Sequence, residues 1–126
     1  MSNEQNYSYR YLVTQPTLNA HGTLHGGNLM KWVDEACGMQ ARLLTGSVCA
    51  TRNISEIDFL SSAKLGDIIQ IDVSMVRLGT TSITFSANVI NAHTHAIVAT
   101  FKKVVFVGLG KNGAEALFLV GVDYDK

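Results

Sequence analysis

A chain of 126 residues with 47% hydrophobic and 16% charged residues has the material for one cored domain and is too apolar for disorder. Lys plus Arg number 10, as do Asp plus Glu, and a zero net charge offers no general footprint for nucleic acid or an anionic membrane. No stretch approaches the ~20 apolar residues of a membrane span, and Met1 to Tyr9 has no signal-peptide pattern, which predicts a soluble, cytoplasmic protein.

Tyr7 to Thr14 is aromatic and β-branched and predicts a short strand. Gln15 to Thr23 reads as a loop, with Pro16, Asn19 and Gly22 as turn residues. After His25-Gly26-Gly27, the run Asn28 to Leu44 has helical spacing. Asn28, Lys31, Glu35, Gly38 and Arg42 share one narrow face, and apolar residues cover nearly all the rest, the pattern of a buried helix. Thr45-Gly46 ends it. The pattern then turns to β. Val48 to Phe59 is β-rich, Ile69 to Met75 and Ile83 to Val89 alternate, and Ala96 to Val107 is a long apolar strand. Short turns at Leu65-Gly66-Asp67, Leu78-Gly79-Thr80 and Asn91 to Thr94 predict antiparallel neighbours. The expected fold is α+β over residues 1–126 as a single domain: one long central helix wrapped by a curved antiparallel sheet of about five strands. Such a sheet covers only part of the helix, which predicts at least a dimer.

Three patterns have ordinary explanations. Gly108-x-Gly110-x-x-Gly113 has the form of a dinucleotide fingerprint, but too little chain follows for the strand and acidic residue it needs, and a flexible turn is expected. His93 and His95 have no third ligand nearby, so turn residues are expected rather than a metal site. Cys37 and Cys49 read as reduced thiols. Lys102 and Lys103 interrupt an apolar strand, either to keep an exposed face soluble or to meet an anionic ligand.

The strongest constellation runs from Asn19 through His25-Gly26-Gly27 to Asp34. Two glycines at a helix start leave N–H groups uncovered at the positive end of the helix dipole, where they can hold an oxyanion. Asp34 projects outside the polar stripe, as a catalytic acid or as an ion-pair partner of Lys31. Eight residues of helix place Gly26 and Asp34 about 12 Å apart at 1.5 Å per residue, too far for one small reacting group. If both serve one substrate, a partner subunit must supply the second.

Asn19-x-x-Gly22, His25-Gly26-Gly27, Trp32-Val33-Asp34-Glu35-Ala36, Ile57-Asp58-Phe59, Gly66-Asp67 and Gly79-Thr80-Thr81-Ser82 together resemble the hotdog-fold acyl-CoA thioesterases. The likeness is to the acyl-CoA hydrolase branch with the YciA-type and brain-type cytosolic enzymes. It implies a homodimer as the minimal unit, assembling into tetramers or hexamers, with an active site at the subunit interface. Asn19 and the Gly26 region would come from one chain and Asp34 from the other. It further implies that Thr81, Ser82 and the basic residues Arg77, Lys102 and Lys103 face CoA.

The expected reaction is hydrolysis of an acyl-CoA to free acid and CoA, with no metal or redox cofactor. Asp34 acts as base on water or attacks directly, Gly26 and Gly27 hold the oxyanion, and Asn19 holds the water or carbonyl. His25 touches the thioester sulfur or fixes the loop, and the acyl chain runs near Met30, Val33 and Cys37. The rival readings are a non-catalytic acyl-CoA-binding module and a hydratase or dehydratase of the same fold.

Overall fold

Alternation of apolar and polar residues sorts the sheet into an inner and an outer face. In the computed structural model, which describes residues 6–120, the strands are β1 (Asn6–Leu12), β2 (Cys49–Phe59), β3 (Ile68–Leu78), β4 (Ser82–Asn91), β5 (Ile97–Gly110) and β6 (Gly113–Glu115). Residues 1–5 and 121–126 of the expected domain lie outside the described residues. All pairings are antiparallel, in the order β1-β3-β4-β5-β2, with β6 on β5. Ile69, Ile71 and Val73 of β3 and Ile83, Phe85 and Val89 of β4 are fully buried against the helix, while Gln70, Asp72 and Thr84 lie on the outer face.

The helix α1 spans Gly26–Thr45 and ends on Gly46, whose φ of 68° is the left-handed geometry that a glycine supplies at a helix end. Leu29, Trp32, Val33, Ala36, Cys37 and Ala41 pack on the sheet, and Trp32 stacks on Tyr11 of β1 at 4.9 Å. The sheet covers only part of the apolar helix surface, as expected of a single chain: Met39 is 45% and Leu43 67% exposed. Gly38 departs from the polar stripe. A Cβ there would lie 3.3 Å from Phe106 Cε2, so the glycine marks where helix and sheet come closest. Gln40 is buried and accepts the Tyr9 hydroxyl at 2.6 Å.

Two connections depart from the sequence reading. β2 and β3 are consecutive in sequence but not neighbours, because residues 60–67 carry the chain past the start of the helix from one side of the sheet to the other. That crossing is tied to the loop before the helix, where Leu24 N donates to Ala63 O at 2.8 Å. The turn at Gly66-Asp67 is held by local geometry: Gly66 has a φ of 88°, and Asp67 Oδ2 accepts from Lys64 N at 2.8 Å. The Gly-rich tail is a hairpin, with β6 too short to show alternation. A Cβ on Gly108 would lie 2.6 Å from Glu115 O, so the returning chain requires glycine there. No helix among the described residues is long and apolar enough to cross a membrane.

Candidate active site

The loop before the helix is organised by Asn19. Its Oδ1 accepts from His21 N at 2.9 Å and Thr23 N at 3.1 Å, and its Nδ2 donates to Thr23 Oγ1 at 3.0 Å. Gly22 closes that turn with a φ of 80°. His25 then caps the helix: its Nδ1 accepts from Asn28 N at 3.3 Å, and its carbonyl accepts from Leu29 N at 3.0 Å. A helix start leaves four N–H groups without helical partners; that of His25 donates to Thr17 O at 2.8 Å and that of Asn28 to the cap, which leaves those of Gly26 and Gly27 for a ligand. A side chain on Gly27 would push the capping ring aside, since a Cβ would lie 2.7 Å from His25 Cε1. Gly26 lines a cavity of about 360 Å³ with Leu24, Leu29, Phe59, Leu60, Ser61, Ser62, Ala63 and Val98. Beside it, Asn28 Nδ2 is buried with no hydrogen-bond partner among the described residues.

Asp34 lies on the other side of the helix start, in an open cleft of about 670 Å³ shared with Tyr11, Gly38, Met39, Cys49, Thr51 and Phe106. Its Oδ1 accepts from Thr51 Oγ1 at 2.5 Å. That bond stands in place of the ion pair to Lys31 that the helical spacing allows; no such pair occurs among the described residues. Thr51 reaches the helix at a β-bulge, where β2 carries Arg52 as an extra residue against β5, and bulges of this kind re-aim side chains. Burial pushes the Cys37 thiol up to about 12, with the nearby Asp34 charge acting in the same direction, so this cysteine is inert in the folded protein.

A third recess, of about 490 Å³, opens on the outer face of the sheet and gathers Arg52, Asn53, Ser55, Arg77, Ser82, Thr84, Lys103 and Val105. It brings three cations together on a chain of zero net charge. Lys102 and Lys103 are both exposed although adjacent, because β5 carries an extra residue between its Phe101 and Val104 partners on β4. His93 and His95 are exposed turn residues, and among the described residues no three His, Cys, Asp or Glu gather as a metal set.

Residues 21–98 match the family model of the thioesterase superfamily. The chain belongs to that superfamily. It is similar to an uncharacterized acyl-CoA thioester hydrolase of Buchnera aphidicola, at 28% identity over 81% of this chain and 70% of the relative. It is 34% identical to the acetyl-coenzyme A thioesterase of Mus musculus over 63% of this chain but only 15% of that much longer protein. The structure resembles an acyl-CoA hydrolase from Staphylococcus aureus solved with butyryl coenzyme A, coenzyme A and coenzyme A disulfide, with a TM-score of 0.79 and 26% identity, covering 93% of this chain and 71% of that one. The single helix against an antiparallel sheet is the hotdog fold of these thioesterases.

Within this thioesterase, one chain does not assemble all the residues singled out from sequence. Asn19, His25, Gly26 and Gly27 cluster at the helix start, Asp34 faces a separate cleft, and Arg77, Ser82 and Lys103 share the outer recess. Lys102 and Thr81 do not line that recess; Thr81 instead uses its carbonyl to accept from Gly108 N. The sequence reading missed Thr51 and Arg52. Their one signal is the unbroken polar run Thr51-Arg52-Asn53, which breaks the alternation of a strand and marks a bulge.

Proposed function

We propose that this thioesterase hydrolyses acyl-CoA thioesters to free acid and CoA, with each site built from two chains of a homodimer. The observation that carries this reading is the position of Asp34, an acid held by one hydroxyl bond and open to a cleft, on the helix whose first turn keeps the Gly26 and Gly27 N–H groups uncovered. In the reaction, Asp34 takes a proton from water as the water oxygen bonds to the thioester carbon. The oxyanion rests on the Gly26 and Gly27 N–H groups of the partner subunit's equivalent helix start. The C–S bond then breaks, and the CoA thiolate recovers a proton from Asp34. Thr51 leaves Oδ2 as the free carboxylate oxygen. Asn19 keeps the loop in shape, and with its Oδ1 occupied it has only an Nδ2 proton to offer the water or carbonyl. His25 fixes the helix start as its cap.

The exposed Met39 and Leu43 on the helix support pairing with a second copy, and assembly continues to a tetramer or hexamer. Arg52, Arg77 and Lys103 supply the charge for the CoA phosphates, with Ser82 beside them. The free thiols of Cys37 and Cys49 fit a cytoplasmic enzyme. The chemistry draws on water and protein groups, with no cofactor.

A thiol-release assay across acyl-CoAs of different chain lengths tests the activity. Release of free CoA supports the reading. Tight binding without release points to an acyl-CoA-binding module, and hydration without release points to a hydratase. A single turnover in ¹⁸O-water separates the two roles of Asp34. Direct attack by Asp34 leaves the first product acid without label, whereas the base mechanism labels it.

A further inference from the structure

The sequence sends the acyl chain along Met30, Val33 and Cys37, and that route is closed within the chain, since Val33 and Cys37 are 0% exposed. The open space touching the helix start is the cavity of about 360 Å³ beside Gly26. Its walls include Leu24, Leu29, Leu60 and Val98, so it suits an apolar guest. Phe59 shares the lining with Gly26 and Leu29 of the helix. Its Cε1 and Cζ lie 3.6 and 3.7 Å from the position of a Cβ on Gly26, and its ring meets the buried Phe101 edge-on at 6.2 Å. The far wall is held to β5, where Leu60 N and Ser61 N donate to Val98 O at 2.8 and 3.2 Å.

We infer that this cavity receives the acyl chain and that Phe59 sets the chain length the enzyme accepts; the inference rests on the thioesterase reading above. A carbonyl held by the Gly26 N–H group lets the acyl chain run past the Phe59 ring into the cavity, so the bulk of the ring takes space from the chain. The cavity is finite, at about 360 Å³, so it sets a limit to the acyl chain it can bury. Each methylene buried before that limit raises kcat/KM about fourfold. A longer chain has to displace the ring, which is 53% exposed, or leave its end in water.

The test is kcat/KM for straight-chain acyl-CoAs from acetyl to palmitoyl, measured on the wild-type protein, Phe59→Ala and Leu60→Trp. Phe59→Ala is expected to move the maximum to longer chains. Leu60 is 59% exposed, so a larger side chain there is compatible with folding while narrowing the cavity. Leu60→Trp is expected to lower kcat/KM for the longest good substrates by about tenfold or more, and for acetyl-CoA by a smaller factor. Equal scaling of every chain length in both variants overturns the inference. Release of no thiol from any of these substrates by the wild-type protein overturns the thioesterase reading first, and this inference with it.

Discussion

Thr51 donates its hydroxyl to Asp34 across the gap between the sheet and the helix, Oγ1 to Oδ1 at 2.5 Å. The bond joins a bulge on an edge strand to the third turn of the helix, seventeen residues apart in sequence. It orients a carboxylate that would otherwise rotate freely in an open cleft. Asp34→Asn keeps the shape and loses the base. Turnover is expected to fall by about 10²–10⁴-fold with the melting temperature unchanged, by thiol release and thermal unfolding. Near-normal hydrolysis by Asp34→Asn removes Asp34 from the mechanism.

Thr51→Val removes the orienting bond without touching the acid. It is expected to lower kcat about tenfold, the scale of one hydrogen bond to a charged group, with KM little changed. Thr51→Ser restores the hydroxyl and is expected to recover most of the rate. A loss in KM alone assigns Thr51 to substrate binding instead.

Gly27→Ala pushes a Cβ to within 2.7 Å of His25 Cε1 and displaces the cap. The expected loss is about 1 kcal/mol, the usual worth of a helix cap, read as a lowered denaturant midpoint. His25→Ala removes the same bond, so the double variant is expected to lose less than the two single losses added together. Full additivity shows that the two residues do not act through one cap.

Tyr9→Phe strips the donor from Gln40 Oε1, in a side chain only 2% exposed. An unsatisfied buried acceptor costs about 1–3 kcal/mol, so Tm is expected to fall by several degrees. Adding Gln40→Leu to Tyr9→Phe replaces both partners with apolar groups and is expected to recover much of that loss. A Tyr9→Phe protein as stable as the wild type shows that water reaches Gln40.

Alkaline stability follows from Cys37. Burial first, and the Asp34 charge second, raise its thiol from 9.0 to about 12 in the folded state. Above pH 9 the unfolded chain releases a proton that the folded chain keeps, so stability is full below pH 9 and falls as the pH rises toward about 12. The raised hydroxyls of Tyr9 and Tyr11, also shifted chiefly by burial, add to the decline from their ordinary value of 10.0 upward. Chemical denaturation at pH 7, 9 and 10.5 reads the slope. Cys37→Ala is expected to be less stable at pH 7 and to show a shallower decline, whereas an unchanged slope assigns the decline to other groups.

The alternation in β3 and β4, the helical run after His25 and the glycine that ends it were legible because each depends on residues a few positions apart. The same local chemistry made Gly26, Gly27 and Asp34 readable as candidates, and helix pitch alone separated them. Tertiary structure decided which strands are neighbours, since β2 pairs with β5 and β1 with β3 through contacts that no short turn announces. It also brought Thr51 to Asp34, gathered Arg52, Arg77 and Lys103 on the outer face, and opened a cavity beside Gly26. Periodicity tells which way a side chain points from its own element. What it meets there depends on the path of the rest of the chain, and here the bulges of the sheet and one crossing loop set that path.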